Sequence, residues 1–285
     1  MTMKICIGIV LYETSALQLE KLAGSIAWQD CDGAEILIFL MANDGQIYSD
    51  ATSAMRRLFA DAKNVRLQDV VSGPNIGFGA AHNALCRLAK EEDCEIYIGA
   101  NPDGMFHYAA ISCLLENIKT HSSQTLFEFM QFPQEHPKIY DCFTHETNWA
   151  SGACFAIRSD FFLGLGGFDE SMFMYCEDVD LSWRVRAAGG KCIMLVGALF
   201  FHDLSADRSR FDTKIRMLCS GRYLGWKWRN EAFMKVMETQ MMSLGFSPDM
   251  QTLPSSDLNR MPCDADVAYR ICDFDSHFLF SRARW

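Results

Sequence analysis

Residues 65–103 read VRLQDVVSGPNIGFGAAHNALCRLAKEEDCEIYIGANPD. An apolar run (65–71) gives way to a glycine-rich turn (73–79), then to a helical pattern (80–90). A second short apolar run (95–100) ends in the turn Asn101-Pro102-Asp103. Strand, turn, helix and strand in that order require a crossover connection, and therefore a parallel pair of strands. The same rhythm runs back to the N-terminus. Residues 5–12 and 34–41 are continuous apolar runs of strand length. Leu19, Leu22, Ala23 and Ile26, then Ala51, Met55, Leu58, Phe59 and Ala62, recur at helical spacing between and after them. The first hundred residues are therefore expected to form a mainly parallel α/β sheet.

In such sheets ligands bind beyond the carboxyl ends of the strands. The polar and glycine-rich residues just after each strand are Tyr12-Glu13, Asn43-Asp44-Gly45, Gly73–Gly79 and Asn101-Pro102-Asp103. Beyond residue 125 the rhythm loosens. Strands are expected at 126–132, 151–158 and 191–196, and helices at 179–188 and 207–230. A Met-rich helix then opens a tail with a Pro/Ser/Asp loop and an aromatic end.

The chain's 285 residues are 49% apolar and 22% charged, so a sizeable core can form and disordered or fibrous classes are excluded. With 26 Lys plus Arg against 36 Asp plus Glu, the net charge is −10, which argues against nucleic acid as a partner. Local basic patches are still open to the chain, for instance at Arg222, Lys227 and Arg229 or at Arg282 and Arg284. The twelve cysteines include no C-x-x-C pair, and several lie inside apolar runs, as expected of small hydrophobes in a reducing compartment. No run approaches the roughly 18 apolar residues of a membrane span, so a cytoplasmic protein is expected.

Four constellations could carry chemistry. The turn 73–79 places three glycines in seven residues between strand and helix, where the backbone can approach a ligand and aim amides at an anion. It is also what a plain tight turn would use. His82 stands where a dinucleotide fingerprint would put its third glycine. Asp103, held by Pro102 at the sheet edge, suits a hard divalent cation, although the same residues make an ordinary turn. Glu177-Asp178-Val179-Asp180 opens a helix. The helix dipole and an Asp180–Arg184 pair account for Asp180, whereas Glu177 and Asp178 adjoin an apolar wall that could tune a proton acceptor. His202 ends an apolar run and could offer an imidazole to a metal or a phosphate.

Each signal is weak alone, but their order is specific: phosphate-facing turns, Asn-Pro-Asp, Ser151-Gly152-Ala153, Gly166-Gly167-Phe168-Asp169-Glu170, Glu177-Asp178-Val179-Asp180-Leu181, then His202. This order resembles the family 2 glycosyltransferases with the GT-A fold, and most closely their rhamnosyltransferase-like branch. The resemblance covers about residues 3–205, and residues 149–186 with 75–83 are its most specific part. It implies a Rossmann-like, mainly parallel sheet with helices on both faces over residues 1–230, with 1–105 the nucleotide half and 106–230 the acceptor half. A helical extension over 231–285 would follow. It further implies that Tyr12, Glu13 and Asp44 border the base, that Asn75, Gly77 and Asn83 line the nucleotide-sugar pocket, and that Asp103 binds Mg²⁺ or Mn²⁺ with His202. Trp149, Gly152 and Ala153 would shape the acceptor side, with Asp178 the catalytic base and Glu177 its neighbour. Two positions depart from the family pattern: Asn43-Asp44 stands where Asp-Asn is usual, and Asn101-Pro102-Asp103 offers one carboxylate rather than two.

The implied reaction is inverting transfer of a sugar from a dTDP-rhamnose-like or UDP-sugar donor to a hydroxyl of a glycan or lipid-linked glycan, in surface polysaccharide assembly. Peripheral membrane contact and self-association through the aromatic-basic tail accompany it as expectations, packing of the tail being favoured over membrane binding. The alternatives are a catalytically inactive module of the same fold and a dinucleotide-dependent oxidoreductase.

Overall fold

The computed structural model describes residues 2–134, 138–202, 211–255, 260–261 and 270–274. The strands are β1 (Lys4–Leu11), β2 (Glu35–Ala42), β3 (Val65–Leu67), β4 (Val71–Ser72), β5 (Ile96–Ala100), β6 (Gly104–Phe106), β7 (Thr125–Phe132), β8 (Glu146–Thr147), β9 (Cys154–Arg158) and β10 (Lys191–His202). The helices are α1 (Ala16–Ala27), α2 (Ser49–Phe59), α3 (Phe78–Glu91), α4 (Ala110–Thr120), α5 (Ser159–Gly164), α6 (Glu177–Ala187), α7 (Phe211–Lys227) and α8 (Glu231–Ser243).

One sheet runs in the order β3-β2-β1-β5-β9-β7-β10-β6, with β4 added to β2 and β8 to β10. The pairs among β1, β2, β3 and β5 are parallel, as the crossover pattern requires. β9 is the departure: it lies antiparallel between β5 and β7. An apolar strand buried on both faces carries no mark of its direction, so this inversion is invisible in the sequence.

Alternate residues of the strands feed two cores. Ile5, Ile7 and Ile9 with Ile36, Ile38 and Leu40 pack under α1, α2 and α4. Cys6, Leu37, Phe39 and Tyr97 face α3, α5 and α6 on the other side. A third cluster joins Trp183 and Val179 of α6 to Leu218, Leu224 and Trp226 of α7 and to Met237 and Met241 of α8. α1 starts cleanly because Ser15 and Gln18 form a reciprocal capping box.

The 65–71 run divides into β3 and β4, and β10 extends beyond 196 to His202 through a register shift between Leu195 and Leu199. The helix anticipated over 207–230 is seen as Phe211–Lys227, and its first residues, 207–210, lie outside the described residues. So do Phe278, Phe280, Arg282, Arg284 and Trp285 of the tail. Among the described residues eleven cysteines are free thiols, and no helix is long and apolar enough to cross a membrane.

The register brings one edge into focus. The carboxyl ends of β1, β2, β4 and β5 lie beside the amino end of β9, because Ala100 pairs with Cys154. β7 runs antiparallel to β9 and parallel to β10, so Phe132 and His202 end at that same edge.

Candidate active site

The first wall of the site is built from the turns after β1, β2 and β4. Tyr12 is 49% exposed, and Glu13 takes a left-handed backbone at φ 49°. Its N–H donates to Asp44 Oδ2 at 2.8 Å, and the Tyr48 hydroxyl donates to the same oxygen at 2.7 Å. Partial burial works against ionisation of Asp44, but the hydrogen bonds from Tyr48, Gln46 and Glu13 outweigh it and hold the carboxyl below its usual value. Glu13 and Tyr48 are therefore tied to Asp44, with Tyr12 next to Glu13 in the chain. The inverted order Asn43-Asp44 leaves the acid at the mouth and puts the amide inside. Buried Asn43 donates to Asn75 Oδ1 at 3.0 Å and to the Gly77 carbonyl, and accepts from the Ile76 N–H at 3.0 Å.

That arrangement corrects one expectation. Three amides of the glycine-rich turn are held within the protein rather than turned to an anion: Ile76 N–H goes to Asn43, Gly77 N–H to Asn75 Oδ1, and Phe78 N–H to the Phe173 carbonyl. Gly77, at φ 91°, is required because a Cβ would run into the Phe173 carbonyl oxygen. The turn is a clamp between β2 and the 172–176 segment. Asn83 also departs from its expected place. It is buried, accepts from Phe168 N–H at 2.8 Å and donates to the Phe168 carbonyl at 2.9 Å and to Glu170 at 3.0 Å. Its amide pins α3 to the turn before α6 rather than lining a pocket. His82 is a neutral core residue, its pKa lowered to about 3 by burial, with Nδ1 2.7 Å from the Tyr97 hydroxyl. A bulky ring there, opposite Gly99, replaces the close helix–strand approach that a dinucleotide fingerprint uses.

The second group sits after β5. His202 pairs with Gly104 across β10 and β6, which brings its Nε2 to 3.5 Å from Asp103 Oδ1. Gln131 Oε1 lies 2.9 Å from His202 Nδ1 and Asn101 Nδ2 lies 3.3 Å from Nε2. A proton on Nδ1 shared with Gln131 makes Nε2 the acceptor of the ring, and it takes the Asn101 amide, which a metal at Nε2 would displace. One carboxylate oxygen and one imidazole nitrogen fit Mn²⁺ or Mg²⁺ only as a partial shell. Among the described residues no group of three or more His, Cys, Asp and Glu is placed to hold a metal.

The third group is the base end. α6 begins after two successive left-handed residues, Tyr175 and Cys176 at φ 72° and 66°. Non-glycine residues seldom adopt this conformation, and such strain gathers at working sites. It delivers Glu177 and Asp178 to the edge. Asp178 Oδ2 accepts from Gly152 N–H at 2.8 Å and Oδ1 from Val179 N–H at 2.9 Å. Burial raises the Asp178 carboxyl above its usual value, opposed by these amides and by the charge of Lys138. Glu177 is pushed well above its usual value by burial, reinforced by Asp178, and its Oε2 is buried with no hydrogen-bond partner among the described residues. Both carboxyls are raised, and Glu177 the more strongly, so Glu177 is the first of the two to take up a proton.

Residues 149–153 link the second and third groups. Ala153 accepts from Asn101 N–H at 2.9 Å, so only Gly152 and Ala153 separate the Asp178 contact from the Asp103 turn. Trp149, Gly152 and Ala153 are all brought to this edge, each buried in the free protein. Asp180, by contrast, belongs to the scaffold. Fully buried, it binds Arg184 at 2.7 Å, Lys227 at 2.8 Å and the Trp228 indole at 2.9 Å, while Lys227 also reaches Asp169 at 2.7 Å. Arg222 pairs with Glu238 at 2.8 Å. The expected basic patch of Arg222 and Lys227 is thus neutralised.

Sequence reasoning passed over Glu128 and Lys138, which form a buried ion pair beneath Trp149 and Ser151. The signal for Glu128 was present: a lone carboxylate within Leu126-Phe127-Glu128-Phe129-Met130 is a charge in a buried strand.

No family model matches the chain. Over 89 residues it is 34% identical to an N-acetylglucosaminyl-diphospho-decaprenol L-rhamnosyltransferase of Mycobacterium tuberculosis, covering 28% of this chain and 29% of that protein. Over 67 residues it is 43% identical to rhamnosyltransferase WbbL of Escherichia coli strain K12, covering 24% and 25%. The matches thus span less than a third of either relative. Among solved structures it resembles GalNAc-T7 with UDP, GalNAc and Mn²⁺, with a TM-score of 0.61 and 12% identity over 86% of this chain and 55% of that one. It also resembles the mannosyltransferase PcManGT from Pyrobaculum calidifontis with GDP-Man and Mn²⁺, with a TM-score of 0.56 and 15% identity over 88% and 78%. The chain has the GT-A fold and resembles rhamnosyltransferases over these short stretches.

Proposed function

We propose that the chain transfers a sugar from a nucleoside-diphosphate sugar to a hydroxyl of a glycan or lipid-linked glycan acceptor, with inversion at the sugar carbon. The observation that carries this reading is the 149–153 segment, which ties a desolvated carboxylate, Asp178, to the Asp103–His202 pair across two residues. Asp178 takes the acceptor's proton, and its raised proton affinity suits it to do so near neutral pH. Asp103 and His202 would hold a divalent cation whose charge offsets that developing on the departing diphosphate. Gln131, on Nδ1, fixes the imidazole for that contact. Tyr12, Glu13 and Asp44 border the base, and Asn75 and Gly77 form the floor beside it. Trp149, Gly152 and Ala153 shape the acceptor side. A single base without a second carboxyl placed as nucleophile favours one displacement over the two-step route of retaining enzymes. The rhamnosyltransferase names among its relatives favour a rhamnosyl donor, and the diphospho-decaprenol in one of those names a lipid-linked acceptor.

Titration calorimetry with UDP, dTDP, GDP and NAD, each with and without Mn²⁺, tests this reading. Tight binding of one diphosphate that is lost with the metal is expected, with no heat from NAD. Binding of NAD alone would replace this reading with an oxidoreductase. No nucleotide binding at all would leave an inactive module.

A further inference from the structure

Glu128 sits in the middle of β7, 1% exposed, and Lys138, in the loop after it, is nearly as buried. An ion pair so placed is seldom there for stability, since apolar residues of similar volume usually do as well or better. What these two side chains hold is the 149–153 segment. Lys138 donates to the Trp149 carbonyl at 2.8 Å and lies 4.3 Å above the Trp149 ring. Glu128 Oε2 accepts from Ser151 N–H at 2.9 Å. Ser182 Oγ takes the N–H between them, that of Ala150, at 2.9 Å, and donates to the Asp178 carbonyl at 2.6 Å. The next amide, Gly152, is the one that binds the Asp178 carboxylate.

We propose that the Glu128–Lys138 pair is a positioning device for Asp178, fixing the strap that carries the Gly152 amide and setting the charge the carboxylate faces. The proposal rests on Asp178 being the base and adds what governs it. The groups facing Asp178 are Lys138 and Glu128 from the β7 side, and Glu177 and the Cys176 thiol around its own helix. Lys138 favours the ionised form, whereas Glu128 and Asp178 repel each other. The two members of the pair therefore act on Asp178 with opposite signs, which a purely structural role would not do.

The test is the acid limb of the kcat–pH profile. Lys138→Met removes a cation, so Asp178 protonates more readily and the midpoint should rise by about one pH unit; Glu128→Gln leaves the cation unopposed, and the midpoint should fall by about as much. Equal midpoints, or shifts in the same direction, would overturn the proposal. Should a single variant fail to fold, Glu128→Leu/Lys138→Met leaves no lone buried charge. In that double variant turnover should drop at least about tenfold from misplacement of the strap, with nucleotide-diphosphate affinity held within about twofold. Wild-type turnover there would overturn it equally. An active Asp178→Asn would remove the base itself. An inactive Asp178→Asn with unmoved limbs would remove only the role of the pair.

Discussion

The two walls of the cleft are made differently. On the nucleotide side, Tyr12, Glu13 and Asp44 stand at the surface on short turns, and Asp44 is held by three hydrogen bonds, from Glu13, Gln46 and Tyr48, that water could replace. On the base side Glu128, Lys138, Glu177, Asp180 and Lys227 are all buried, each charge set against another or suppressed by burial. Exposed hydrogen bonds exchange readily with water and contribute little, whereas a buried charge stripped of its partner is costly. Substitutions on the first wall should therefore grade affinity, while those on the second should cost stability or turnover.

Lys227→Met is the most severe test of that contrast. It leaves Asp169 and Asp180 without their shared cation and should destabilise the fold by about 3–5 kcal/mol, read from denaturant unfolding. A loss below about 1 kcal/mol would mean that the buried wall tolerates change as well as the exposed one. The same carboxylates give an acid signature. Burial opposes ionisation of both, but the charges of Lys227, and of Arg184 for Asp180, outweigh it and hold them below the usual carboxylate value. Their stabilisation is thus complete above about pH 4 and lost as pH falls through the depressed values. Wild-type stability should fall along that ramp, and Lys227→Met should show a shallower one.

Asp103→Ala bridges the two walls. It should weaken Mn²⁺-dependent nucleoside-diphosphate binding at least about tenfold, the loss that even outer-shell partners of a metal produce. Unchanged binding in the presence and absence of chelator would reduce Asp103 to a turn residue. The smallest effect belongs to the exposed wall. Asp44→Asn should change nucleotide affinity by about fivefold at most, corresponding to about 1 kcal/mol. A hundredfold loss would show that the inverted Asn43-Asp44 order still carries the main recognition of the base.

What could be read from the chain follows the same division. β1, β2, β5 and the helices around them were legible because strands buried on both faces are continuous apolar runs and the helices between them keep a clear stripe. α4 was passed over although Ala110, Ile111, Leu114 and Leu115 share a face, because nothing in its flanks marks a cap. The direction of β9 was not readable, because pairing partners rather than its own residues decide it. In the site, Asp178 and Asp103 stood out by following a strand or opening a helix. Asn83 and the amides of the 73–79 turn misled, because groups suited to holding a ligand are equally suited to holding the Gly166–Glu170 turn and the 172–176 segment. Lys138 gave no local sign: its partners, Glu128 and Trp149, lie ten and eleven residues away, joined only by folding.

Asp178→Asn tests the central claim most directly. The amide keeps the size of the side chain but cannot accept a proton, so the loss should fall on the chemical step. Turnover with the cognate nucleotide sugar should drop by about a hundredfold or more, with the donor's dissociation constant essentially unchanged by calorimetry. A variant that keeps more than about a tenth of wild-type turnover, against that expected loss for a general base, would contradict the assignment of Asp178 as the base.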